Sequence, residues 1–469
     1  MAVTCLAGAS DRRQGWARSV WTECGGGFSC ATLRVPLNHR RPGSGEQVDL
    51  AVIRLPASGE RIGSLVVNPG GPGLSGVEYV RAARVVLGEK VRERFDIVGF
   101  DPRGVGSSAP VRCLTDPELD AFVALDGTPD SAAERAALEE GARRFAQACR
   151  RRSGGLLPHV GTVDVARDLD LLRQALGERK LTYLGKSYGT LLGAVYAELF
   201  PGRVRAMVLD GALDPSASPL RLAAEQAAGF ERALRSYVED CVAAAGCPFR
   251  SRTVGGALAE VSELLRRTDE RPLRGDGRRR VTQAVAVLGL LGPLHDPVLW
   301  PELSETLRRA FTGDGAWLLR NADQFVGRRD DGGYSGEMAA NMAVTCADHP
   351  TDPSRYGRFA GRRAPRFGAH LVWASLPCAY WPHPSSFDRL PRAEGAPPIL
   401  VIGTERDPVT PYAWARRMAR ELEPGVLVTY EGDGHTGYAG GSGCVDAVVE
   451  EYLVAGVVPG DGVVCPGIG

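Results

Sequence analysis

Gly185-Lys186-Ser187-Tyr188-Gly189 sets a serine between two glycines. The apolar run at 181–184 precedes it and the apolar stretch at 191–200 follows. Strand, sharp turn, helix is the setting in which a strained turn lifts a serine hydroxyl above a sheet edge as a nucleophile. A side chain at either glycine would collide with the crossing strand and helix. In a chain with 59 glycines the five-residue pattern alone is weak, and a turn with an idle serine is the plain alternative. The pattern gains weight because it occurs once, and in that setting.

A serine nucleophile needs a neutral imidazole within hydrogen-bond reach, and the imidazole needs a carboxylate to hold it. With this type of turn the chain order is serine, acid, histidine. His435 is the one histidine after the two last strand-like runs, 398–403 and 426–430, in Glu431-Gly432-Asp433-Gly434-His435-Thr436-Gly437. The acid is expected where the preceding strand ends, which selects Asp407, with Glu405 in reserve. Asp433 is too near His435 in sequence to be its partner. Taken singly, a loop histidine is usually solvated and an aspartate before proline usually starts a turn. The order of the motifs, each after a strand, argues instead for a Ser187–His435–Asp407 triad. Ser187 would attack a carbonyl carbon, and His435 would take its proton and later protonate the leaving group. Asp407 would fix the tautomer. Activity is expected to rise with pH as the imidazole loses its proton.

Developing negative charge on the attacked oxygen needs donors. The buried run 64–67 leads into Asn68-Pro69-Gly70-Gly71-Pro72-Gly73, a loop able to bring bare N–H groups close to a ligand. Pro72 has no N–H, so Gly71 and the residue after the nucleophile, Tyr188, are the expected oxyanion donors. A phosphate loop is the rival, but the terminal Gly-Lys-Ser/Thr is absent there. A plain tight turn is the ordinary reading of such a Gly/Pro cluster.

These groups need a sheet to hold them. Strand-like runs fall at 30–37, 48–55, 64–67, 95–100, 181–184, 204–211, 398–403 and 426–430. The first reads as an edge strand ending at Pro36. Asp101-Pro102-Arg103-Gly104 follows the run 95–100, at the end of a strand where ligand-facing loops collect in open α/β sheets. Helical stripes are read at 116–152, at 163–176 with Thr162 as cap, and at 445–453. Between 213 and 392 strand signals vanish and helical stripes dominate, as at 220–244, 254–267 and 281–291. The expected organisation is an α/β core in two parts, 10–212 and 393–469, around a helical lid at 213–392.

Length and composition bound the rest. The chain has 469 residues, 44% apolar, enough for a large core. Formal net charge is zero, so nothing points to nucleic acid or an acidic membrane surface. No apolar run approaches the roughly 20 residues of a membrane span. Lys90, Lys180 and Lys186 are the only lysines. Ala7-Gly8-Ala9 fits the small-x-small pattern before an export cleavage site, so 1–9 is read as a signal remnant. A frayed cytosolic terminus fits that stretch as well. Setting Cys5 aside leaves ten cysteines in five sequence-adjacent couples, which suits an oxidising compartment. The expected pairs are Cys24–Cys30, Cys113–Cys149, Cys241–Cys247, Cys346–Cys378 and Cys444–Cys465. No Cys/His cluster has zinc spacing, and no metal or cofactor is expected.

Asn68-Pro69-Gly70-Gly71-Pro72-Gly73, Asp101-Pro102-Arg103-Gly104, Gly185-Lys186-Ser187-Tyr188-Gly189-Thr190 and the ending Gly443-Cys444 to Cys465 together resemble the secreted tripeptidyl aminopeptidases of actinobacteria. These are relatives of proline iminopeptidase with the α/β-hydrolase fold, a mostly parallel central sheet with helices on both faces. The resemblance spans nearly the whole chain. It implies a secreted serine exopeptidase, here taken as a monomer, that releases short peptides from a free N-terminus. It also implies acidic groups in the lid that hold the substrate ammonium. Asn341-Met342-Ala343-Val344-Thr345-Cys346-Ala347-Asp348 resembles a family segment there, making Asp348 a candidate and Glu337 a second one. An ordinary loop carboxylate is the plain reading of Asp348. Esterases and lipases share this machinery, so a carboxylesterase is the alternative. A non-catalytic binder on the same scaffold is the rival of another class.

Overall fold

A computed structural model describes residues 20–349, 351–359, 364–382 and 390–467. The expected signal remnant at 1–9, with Cys5, lies outside them. The described residues form twelve strands: β1 (Thr22–Glu23), β2 (Ser29–Pro36), β3 (Gln47–Leu55), β4 (Gly63–Asn68), β5 (Phe95–Phe100), β6 (Leu181–Lys186), β7 (Val204–Asp210), β8 (Leu273–Arg274), β9 (Arg280–Val281), β10 (Ile399–Arg406), β11 (Gly425–Asp433) and β12 (Val463–Cys465). Ten of them make one sheet in the order β1-β2-β3-β5-β4-β6-β7-β10-β11-β12. β1, β2 and β3 pair antiparallel, as does β3 with β5, and every later pairing is parallel. This is the α/β-hydrolase arrangement.

The near-continuous apolar runs of β4, β5 and β6 follow from burial on both faces. Along β4, Val66 enters the core on one face, with Leu169 and Val195 of the helices Thr162–Ala175 and Tyr188–Leu199. Its neighbours Leu65 and Val67 enter the core on the other face, with Val80 and Val449.

Between β7 and β10 the chain is mostly helical, and most of that segment has its own core, including Leu234, Val261, Leu290, Leu307 and Leu318. The helix Glu337–Asp348 differs. Ala339, Ala343, Val344 and Cys346 pack into the core of the sheet. By packing it belongs to the hydrolase body, although it falls within the range expected for the lid.

Short elements depart from the sequence expectations. β1, not β2, is the sheet edge, and β12 follows the helix Gly443–Ala455. β8 and β9 form a separate two-stranded sheet inside the helical segment. The stretch 116–152 is two helices, Asp116–Val123 and Ala132–Ser153, parted around Gly127-Thr128-Pro129. Thr162 is the first helical residue, and Gly161 takes the cap position. Disulfides join Cys24–Cys30, Cys113–Cys149, Cys241–Cys247, Cys346–Cys378 and Cys444–Cys465.

Candidate active site

β6 ends at Lys186, and the helix Tyr188–Leu199 begins two residues later. Ser187 takes the whole reversal, at φ 54° and ψ −122°. A non-glycine residue there is strained and persists only where its surroundings hold it. Its N–H donates to Asp210 O at 2.9 Å, and its carbonyl accepts from Thr190 N at 2.9 Å. The flanking glycines are sterically required: a Cβ on Gly185 would lie 2.3 Å from Gly189 O, and one on Gly189 would lie 2.8 Å from Asn68 O.

The Gly70–Gly73 loop abuts the same turn. A Cβ on Gly70 would sit 2.9 Å from Ser187 Cβ and 3.0 Å from Tyr188 N. Gly70, Gly71 and Gly73 all have φ near +100° (97°, 105° and 103°), which favours glycine. Tyr188 N is an uncommitted amide of a helix first turn. Among the described residues neither Gly71 N nor Tyr188 N donates to another group. Both expected oxyanion donors therefore border Ser187, with no acceptor for their hydrogens among the described residues.

The acid and the histidine meet. His435 Nδ1 lies 2.9 Å from Asp407 Oδ2 and 3.1 Å from Oδ1. Asp407 is buried, and its oxygens also accept from Val409 N, Thr410 N and Thr410 Oγ1, each at 2.8 Å. Burial works to raise this carboxyl, but the charge of His435 and the hydrogen bonds from His435 and Thr410 outweigh it and hold it below its ordinary value. A carboxylate so held fixes the imidazole with Nδ1 protonated and Nε2 free to act as base.

The imidazole stands over the end of β7. A Cβ on Gly211 would lie 3.2 Å from His435 Cε1, and the preceding residue, Asp210, carries the carbonyl that accepts from Ser187 N. No hydrogen bond joins Ser187 to His435 among the described residues, a bond that in such sites tightens when substrate binds. Glu405, the reserve acid, is exposed at the end of β10, and Asp433 pairs with Arg406 at 2.8 Å.

Two expectations need correction. Asp348 does not face a ligand: it is buried, and its two oxygens accept from Thr162 N at 2.8 Å and Thr162 Oγ1 at 2.6 Å. It caps a helix start, and burial, only partly offset by those bonds, raises its carboxyl to about 6. The Asp101–Gly104 turn is likewise a brace. Asp101 accepts from Ser75 Oγ, Val77 N and Ser107 N, and the fully buried Arg103 forks onto Asp168 at 2.6 and 2.7 Å.

Glu337 is half-buried at the first turn of its helix, where burial raises its carboxyl, and it has no basic partner among the described residues. That turn meets the oxyanion loop, because a Cβ on Gly73 would lie 2.8 Å from Glu337 O. Sequence reasoning missed Thr410, whose Oγ1 also lies 3.3 Å from His435 Nδ1. The only cue was its place three residues after Asp407. It also missed His295, which accepts from His435 N through its carbonyl at 2.9 Å and meets the His435 ring edge-on at 6.1 Å. Burial, helped by the charge of His435, pushes His295 down to about 4, so it stays neutral near pH 7.

A family model described as TAP-like protein matches residues 364–465. The serine protease Hip1 of Mycobacterium tuberculosis is 39% identical over 476 residues, covering 95% of this chain and 90% of that protein. Carboxylesterase B of the same organism is 40% identical, covering 92% and 85%. The tripeptidyl aminopeptidase of Streptomyces coelicolor is 34% identical, covering 95% and 85%. Identity of 34–40% over nearly the whole length of these relatives shows that the chain belongs to the TAP-like family of α/β-hydrolase-fold serine hydrolases.

Proposed function

We propose that this protein is a serine exopeptidase that releases short peptides from free N-termini, with Ser187, His435 and Asp407 as its catalytic residues. The observation that carries the reading is the His435–Asp407 pair, seated beside a strained serine with two free amides next to it. Ser187 Oγ attacks the scissile carbonyl as its proton passes to His435 Nε2. The C–N bond breaks, and that proton leaves on the amine. Water then adds to the acyl-enzyme, with His435 again as base, and the peptide acid departs as the proton returns to Ser187. Gly71 N–H and Tyr188 N–H hold the oxyanion in both halves, and losing one such donor typically costs about 10²–10³ in rate.

Peptide release is supported by the names of Hip1 and the tripeptidyl aminopeptidase. Recognition of the free amine falls to Glu337, a half-buried carboxylate with no basic partner among the described residues, whose backbone carbonyl borders the oxyanion loop. Five disulfides favour an extracytoplasmic setting, and no helix among the described residues is long and apolar enough to cross a membrane. Ester hydrolysis is the second reading, favoured by 40% identity to carboxylesterase B. A panel of free-amine tripeptide amides, their N-acetylated forms and short acyl esters tests the choice. The free-amine peptides should have the highest kcat/KM, and preference for blocked peptides or esters would overturn the exopeptidase reading.

A further inference from the structure

Lys186 immediately precedes the nucleophile, and its side chain is 14% exposed. Its Nζ donates to Tyr438 O at 2.7 Å and Thr436 Oγ1 at 3.3 Å, and lies 3.8 Å from Asp210 Oδ2. Asp210 is fully buried and accepts from Gly437 N at 2.8 Å and Tyr438 N at 3.0 Å. Its backbone carbonyl is the one that holds Ser187 N. Two residues bonded to the nucleophile, one through the chain and one through a hydrogen bond, thus grip the three residues that follow His435.

The gripped segment is strained. Thr436 has φ 72°, and Ala439, just beyond the gripped residues, has φ 58°, both non-glycine residues in the left-handed region. Such backbone persists only where surrounding contacts over-determine it. Stability is a poor reason for the pair, because a buried ion pair is often no better than a packed apolar pair. The identity of the cation is also telling. Three of the 56 Lys and Arg residues are lysines, and one of them fills this slot. A compact ammonium with three donors matches one carbonyl, one hydroxyl and one carboxylate, whereas the planar guanidinium fork does not.

We infer that Lys186, with Asp210, is a positioning residue for His435: the pair locks the base to the nucleophile turn, so that Nε2 reaches both Ser187 Oγ and the leaving group. The inference rests on the proposed roles of Ser187 and His435. Protonating an amine leaving group needs an accurately placed imidazolium, while a nitrophenolate leaves unprotonated. Loss of placement must therefore hurt amides more than activated esters.

The test compares Lys186→Met with the parent on a peptide amide and on the p-nitrophenyl ester of the same peptide. On the amide, kcat should fall by about 10²-fold or more with KM within about threefold, while the ester loses at most about tenfold. The amide-to-ester ratio cancels the folded fraction, so it reads out even in a destabilised preparation. Asp210→Asn, which keeps the shape but not both acceptors, should shift the ratio the same way. Equal losses on both substrates, or no loss on either, would overturn the inference. Fluorophosphonate labelling of the parent separates the two failures. A labelled Ser187 with an unchanged ratio in the variants sinks only the positioning role, whereas an unlabelled parent sinks the nucleophile assignment itself.

Discussion

Gly229, on the helix Pro219–Ala243, is packed so tightly against Pro408 that a methyl group on it would stand 2.3 Å from the Pro408 carbonyl oxygen. Gln226, on the same helix, donates to Val409 O at 2.9 Å. The loop carrying Asp407 is therefore clamped by the helical segment above the sheet. That segment also holds the histidine loop through His295 O, while the helix Glu337–Asp348 of the hydrolase body borders the oxyanion loop at Gly73. Gly229→Ala should destabilise the fold by about 1–3 kcal/mol, the usual cost of overpacking. It should also lower kcat more than it raises KM, because the backbone that must move carries Asp407. Thermal melts and steady-state kinetics check both parts.

Glu337→Gln removes the charge proposed to hold the substrate amine. A hydrogen bond to a charged group contributes about 1.5–3 kcal/mol, so KM for free-amine peptides should rise roughly 10–100-fold. N-acetylated peptides, which lack the charge, should be cleaved no worse than before. An equal effect on both substrate types would assign Glu337 to packing alone.

Asp348 gives a pH signature in stability, not in turnover. Burial raises its folded carboxyl to about 6 from an ordinary 3.8. The folded protein therefore binds the proton more tightly than the unfolded chain between those values. The contribution of this group is fully present below about pH 4 and is lost as pH rises through about 6. Against Asp348→Asn, the parent should lose relative stability from pH 4 to about pH 6.5 and then run parallel to it. Parallel curves throughout would contradict the assignment.

The Cys346–Cys378 bridge ties the helix beside the oxyanion loop to the turn Leu376–Tyr380, closing 32 residues of chain. Replacing both cysteines by alanine should cost about 2–4 kcal/mol of unfolding free energy. The Glu337 end of that helix meets Gly73, so denaturant curves should move before kinetic constants do.

What was legible in the sequence was what has a periodic or sterically enforced signature. The buried runs of β4, β5 and β6 announce a two-faced parallel sheet, and Gly185 and Gly189 announce the turn that only glycine permits. Ser187, Asp407 and His435 are singled out in the sequence because each follows a strand, and the structure brings His435 onto Asp407. β1, β8, β9 and β12 were not found, being two or three residues long and too short to show alternation. Asp348 and Arg103 misled because a carboxylate or guanidinium looks the same in sequence whether it greets a ligand or braces a loop. The packing that decides this comes from Thr162, 186 residues from Asp348, and from Asp168, 65 residues from Arg103. The grip of Lys186 on Tyr438 spans 252 residues and had no local sign at all.

The central claim, that Ser187 is a nucleophile activated by His435, is tested most directly by covalent labelling. A fluorophosphonate should add once per chain, and peptide mapping should place the adduct on Ser187. Ser187→Ala should abolish labelling, and Asp407→Asn should slow it strongly, since loss of the orienting carboxylate costs about 10⁴ in related triads. An adduct elsewhere, or undiminished labelling of Ser187→Ala, would contradict the account.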